Sequence, residues 1–155
     1  MKRLLPMLIA GCLVAGATNA TAQTTHEEVI NGASCVPYPA PGNNNNAFQY
    51  HHLLYAYGQS ASCHITMSGE WPVSKLSYVL FTGVVNSGTV NARICVHTGG
   101  TSLTCGAWGS LTQGQTVNWV SPPALPAYAA GAFLEFTFPS GAWSLVAEVI
   151  PVWVK

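Results

Sequence analysis

Between Thr89 and His97 the chain alternates side chains without a break. Val90, Ala92, Ile94 and Val96 fall on one side, and Asn91, Arg93, Cys95 and His97 on the other. A period of two turns successive side chains to opposite faces, so this stretch predicts a strand with one buried face. No window of ten or more residues carries the 3.6-residue period with the caps a helix needs. Further strand-like runs cover 48–57, 62–68, 76–85, 116–121, 132–138 and 144–154, and Gly-, Pro- or Ser-containing turns separate most of them. Seven to nine short strands with no internal repeat predict an all-β fold, an antiparallel β-sandwich of immunoglobulin-like or jelly-roll-like type.

The last two runs invite a closer reading. Pro139-Ser140-Gly141-Ala142 supplies turn residues, and a hairpin there would pair Phe138 with Trp143, Phe136 with Leu145 and Leu134 with Ala147. That register gathers the apolar side chains on one face and brings Glu135 and Glu148 together on the other.

Lys2 and Arg3, a mostly apolar stretch from Leu4 to Ala17, and Ala20-Thr21-Ala22 have the form of a removable export signal over residues 1–22. Ile9-Ala10-Gly11-Cys12 offers the less favoured alternative, a lipid anchor on Cys12. The expected organisation is a signal (1–22), an N-terminal arm with a Pro- and Asn-rich loop (23–47) and a sandwich domain (48–155). Export explains the cysteines. Beyond Cys12 there are four, Cys35, Cys63, Cys95 and Cys105, and an even number in a secreted chain predicts disulfides. Pairing neighbours in sequence predicts Cys35–Cys63 and Cys95–Cys105, the second stapling a hairpin that turns at Gly99-Gly100. No Cys-x-x-Cys spacing suggests zinc.

Only 6% of the residues are charged, and aspartate is absent. Without Lys2 and Arg3 the cations are Lys75, Arg93 and Lys155, against five glutamates. Nucleic-acid binding needs clustered Lys and Arg and is not expected. For acid–base chemistry the candidate carboxylate pair is Glu135 and Glu148, the arrangement a glycoside hydrolase uses. His51, His64 and His97 are the weak candidates for a metal, since neutral imidazole ligates zinc and copper. No nucleophile elbow or phosphate-binding glycine loop occurs.

Aromatic residues carry the remaining signal. Trp71 and Trp108 stand in turn-like segments, Glu70-Trp71-Pro72 and Gly106-Ala107-Trp108-Gly109, where exposure is expected. Tyr55 and Tyr57 share a strand face with Leu53. Exposed rings of this kind stack on sugars and anchor protein interfaces. The sequence therefore predicts a secreted, non-enzymatic sandwich without a cofactor or a membrane span. It would act in extracellular assembly, or in adhesion and binding of a glycan or protein, and its own copies are candidate partners because little charge guards its edges. Strand addition by Thr24–Ile30 is one route to assembly. The alternatives are an exported carbohydrate-active hydrolase and a periplasmic metal-binding protein.

Overall fold

The computed structural model describes residues 24–38, 47–51, 53–99, 102–124 and 129–155. The export signal with Cys12, and the run Asn43–Asn46, lie outside them. The described residues form thirteen strands in chain order. These are β1 (Thr25–Glu27), β2 (Ile30–Asn31), β3 (Val36–Tyr38), β4 (Ala47–Tyr50), β5 (Leu53–Ala56), β6 (Ser60–Ile65) and β7 (Leu76–Val85). They continue with β8 (Thr89–His97), β9 (Leu103–Cys105), β10 (Gly109–Thr112), β11 (Val117–Val120), β12 (Gly131–Thr137) and β13 (Ser144–Val154).

All pairings are antiparallel, and they build two sheets. Sheet A runs β11-β7-β13-β5-β4, with β1 and β2 also on β13. Sheet B runs β10-β8-β12-β6-β3, with β9 on β8. Numbering β5, β6, β7, β8, β10, β11, β12 and β13 from one to eight, the sheets read 1-8-3-6 and 2-7-4-5. Except for β8 and β10, which pair with each other within sheet B, consecutive strands cross between sheets, the jelly-roll arrangement of a double-sheet sandwich.

The alternation seen in Thr89–His97 becomes geometry in β8: Val90, Ala92, Ile94 and Val96 are buried, and Arg93 and His97 face outward. From the other sheet Val79, Phe81, Val146 and Val149 close the same core, and the Phe81 and Phe136 rings meet edge to face at 5.6 Å. Trp153 is fully buried beside them. Both predicted disulfides are present. Cys35–Cys63 lies inside the sandwich, while Cys95–Cys105 joins β8 to β9 on the outer face of sheet B.

Two expectations are corrected. The run 48–57 is not one strand: His51 adopts a left-handed backbone, φ 55°, and folds it into β4 and β5, which pair with each other. The 134–149 hairpin does not form either. β12 belongs to sheet B and β13 to sheet A, so residues 139–143 cross the edge of the sandwich. The physical reason is strand saturation. β12 already has β6 and β8 on its two edges, and β13 has β7 on one edge and β5, β2 and β1 along the other. The crossing is held by backbone bonds to Gln59 and Gly58 and by Asn86 Nδ2 donating to the Trp143 carbonyl. Parity in β13 also changes: Ser144 and Val146 point inward, a bulge at Ala147 absorbs one residue, and Val149 points inward again.

The polar arm is part of the sandwich. β1 lies on Val152–Val154, β2 on Glu148–Val149, and β3 extends sheet B beside β6. Thr24–Ile30, the segment expected to add itself to another copy, thus pairs with its own chain.

Candidate functional site

Both sheets end on the same side of the molecule, sheet B in β10 and sheet A in β11, joined through the turn at Gly114. The strands touch closely there. A Cβ on Gly109 would sit 2.5 Å from Val120 Cγ1, and one on Gly106 would sit 2.7 Å from the Ser121 carbonyl oxygen. Glycine at these two positions lets the segment carrying Trp108 lie against residues 119–123. Asn118 Nδ2 donates to the Ser110 carbonyl and ties the two edge strands together.

Two tryptophans emerge from this edge. Trp119 on β11 is 58% exposed and Trp108, just before β10, is 44% exposed. Trp119 stands between two hollows. One, of about 400 Å³, is lined by Tyr78, Leu80 and Trp119 on the outer face of sheet A. The other, of about 300 Å³, is lined by residues 106–109 and 119–123, including Trp108. Tyr78 meets Trp119 edge-on at 6.3 Å. Trp108 is steadied from below: the Arg93 guanidinium lies 4.3 Å from its ring centre, and Arg93 Nε donates to Glu135 Oε2 at 2.7 Å. Cation–π contact and ion pair together fix the ring's orientation. Apolar surface left in water forgoes about 25 cal/mol per Å² of burial, so two exposed indoles beside hollows that share Trp119 form a surface suited to a flat, partly apolar ligand.

The sequence-predicted residues fall in several places. Trp108 belongs to this edge. Trp71 does not; it is half-buried, with His26 stacked on it at 4.6 Å and 10° and Lys155 Nζ 4.1 Å from its ring centre. Beside it Lys155 Nζ donates to Glu70 Oε1 at 2.8 Å, which holds the Glu70 carboxyl below its usual pKa of 4.5, first through that hydrogen bond and then through the charge of Lys155. Trp71 thus fastens the two ends of the described chain. Tyr55 is half-buried on the outer face of sheet A opposite Leu145, and Tyr57, just beyond the end of β5, packs 6.0 Å from the Trp143 ring.

Glu135 and Glu148 do not form a pair. Glu135 is bound to Arg93 on the outer face of sheet B, while Glu148 lies opposite Thr82 in sheet A. The register that would have united them required the hairpin that strand saturation prevents. Of the three histidines, His64 and His97 share the outer face of sheet B and His51 lies in the β4–β5 turn of sheet A. Among the described residues, the group of three ligand-type side chains within reach of one ion is Cys95, Cys105 and Glu135, and its two sulfurs are bonded to each other.

Trp119 is the residue sequence reasoning missed. In Val117-Asn118-Trp119-Val120 both faces carry an apolar residue, so alternation alone does not say which one is outside. The signal was Asn118, whose amide ties across to β10 and leaves Val117 and Trp119 pointing to solvent.

No family model matches the chain, and no characterised protein matches it in sequence. Solved structures resemble it in shape. A low-affinity xylan-binding module, CBM86, from Roseburia intestinalis superposes with a TM-score of 0.52 at 14% identity, over 84% of this chain and 96% of that one. A family two carbohydrate esterase from Cellvibrio japonicus gives 0.43 at 9% identity, over 85% of this chain and 34% of the esterase. At such identities the likeness to the xylan-binding module is one of fold.

Proposed function

We propose that this chain is an exported, non-catalytic β-sandwich that binds a neutral polysaccharide along its β10–β11 edge. The observation that carries the proposal is the pair of exposed indoles, Trp119 and Trp108, beside two hollows that meet at Trp119. Sugar rings present C–H faces that stack on aromatic rings, and adjacent hollows suit successive residues of a chain. The scarcity of charge fits a neutral ligand, because Arg93, the cation nearest the tryptophans, is already paired with Glu135. Binding is favoured over hydrolysis because the two glutamates lie in different sheets. The fold shared with a xylan-binding module makes xylan the first ligand to try. Export is supported by the two disulfides and by the form of residues 1–22.

Affinity electrophoresis and calorimetry with soluble xylan, mixed-linkage β-glucan and galactomannan test this reading. At least one polysaccharide should retard the mature protein. Trp119→Ala should weaken binding at least about tenfold, the cost of truncating a central aromatic anchor, with Trp108→Ala weaker too and both variants melting as the parent does. Full affinity in the double variant, or retardation by none of the polymers, would overturn it. The expectation of self-assembly is checked by light scattering, where the pairing of β1 with its own β13 favours a monomer.

A further inference from the structure

At the other end of the outer face of sheet B, two histidines flank a separate hollow. His64 of β6 lies opposite Phe133 of β12, and His97 of β8 lies opposite Gly131. The imidazoles therefore stand on either side of one strand. Both contact the Phe133 ring, at centroid distances of 6.5 and 5.8 Å, so the phenyl group props the pair. Beside them Gly131 has no side chain, and among the described residues no atom beyond its chain neighbours lies within 4 Å of where its Cβ would be. The result is a hollow of about 280 Å³, lined also by Gly99 and Ala130.

We propose that this hollow is a second carbohydrate subsite, seating a single neutral sugar ring over Gly131 between His64 and His97. The inference rests on the carbohydrate-binding reading above but uses none of its residues. Strands in a sheet are ~4.8 Å apart, so the two flanking β12 are ~10 Å apart, and the two-residue stagger of His64 (level with Phe133) and His97 (level with Gly131) lengthens their backbone separation to roughly 12 Å. Two hydrogen bonds of ~2.8 Å leave roughly 6 Å for the ligand, room for one sugar ring. A neutral imidazole carries one donor and one acceptor, and a sugar hydroxyl offers the same combination. The nearest charges on this face, Arg93 and Glu135, are already paired two positions beyond Cys95 and Phe133 along their strands. Among the described residues a metal ion would find two imidazoles here, since Cys95 and Cys105 are bonded to each other. Glycine in the middle of a sheet weakens it, and here it opens the floor of the hollow.

Gly131 also supplies the test. It lies in a strand with open space above it and a backbone outside the left-handed region, so a larger side chain fits without disturbing its neighbours. The imidazole Cε1–H resonances of His64 and His97, assigned with His→Ala variants, are followed by NMR. The titrants are methyl β-xyloside, methyl β-glucoside and methyl β-galactoside at millimolar concentrations, and zinc chloride in a parallel arm. At least one glycoside should move both resonances saturably in the parent and in Trp119→Ala. Gly131→Leu, with an unchanged melting temperature, should bind that glycoside at least tenfold more weakly. Unmoved resonances, equal shifts in Gly131→Leu, or a response to zinc chloride with none to the glycosides would each overturn the subsite. Polysaccharide retention that Trp119→Ala abolishes would survive such a failure. Conversely, glycoside-induced shifts alongside no polysaccharide retention would uphold the subsite and sink the edge.

Discussion

Two glycines show how one atom has opposite meanings in different surroundings. Gly83 on β7 lies opposite Val146, where a Cβ would come 2.3 Å from the Leu145 carbonyl oxygen. That close approach goes with the bulge at Ala147, which bends β13 against β7. Gly83→Ala should therefore destabilise the fold by at least about 2 kcal/mol, because backbone must move to admit the methyl group. Gly131→Ala should leave stability within about 0.5 kcal/mol or raise it. Chemical denaturation of both variants checks the contrast. Equal effects would mean that the tight approach at Gly83 is easily relaxed. In sequence these are two strand glycines without distinction; which of them has a carbonyl overhead depends on the partner strand.

Among the elements, the β8–β9 hairpin was the most legible. Its alternation and its cysteine staple were both local, and local features survive into the fold. The β12–β13 connection was the least legible. Turn residues at 139–142 are compatible with a hairpin and with a crossing between sheets, and the choice falls to the strands waiting on either side. Glu135 and Glu148 parted for that reason. The disulfides differ in the same way. By loop entropy, closing the segment of Cys35–Cys63 contributes about 3.6 kcal/mol and that of Cys95–Cys105 about 2.8 kcal/mol. Cys35 and Cys63 are fully buried, whereas Cys105 is partly exposed. Mild reductant should therefore open Cys95–Cys105 first, as mass spectrometry after thiol labelling would detect. Because Trp108 follows Cys105 by three residues, polysaccharide affinity should fall with that bond while the sandwich stays folded. Prior labelling of Cys35 and Cys63 would refute the order.

At the scale of the whole molecule, the ends of the described chain are closed by a clasp. β1 pairs with the end of β13, the Lys155 amide donates to the Thr24 carbonyl, and His26, Trp71, Lys155 and Glu70 pack over the junction. The Glu70 pKa is lowered in the folded state, so its contribution is present above 4.5 and is lost as pH falls through the depressed value. The pair is exposed, so the effect is local. Hydrogen-exchange protection factors in β1 should decline as pH drops below about 4.5, while those in β7, β8 and β12 hold. Lys155→Met should show the weakened protection already at neutral pH. Unchanged protection of β1 in that variant would leave the strand ladder and the Trp71 stack as the whole of the clasp.

By itself the sequence determined the class of fold, the pairing of its cysteines, the inward and outward faces of β8, and the poverty of charge. These follow from period, spacing and composition, which act along the chain. The tertiary structure alone decided that Trp119 and Trp108 meet at one edge, that Trp71 closes the chain ends, that the two glutamates part, and that His64 and His97 flank β12 beside Gly131. Each of these joins residues distant in sequence. A strand's pattern says which side chains share a face, but the sheet it enters, and what lies beside it there, is set by competition among all the strands for partners and for one core.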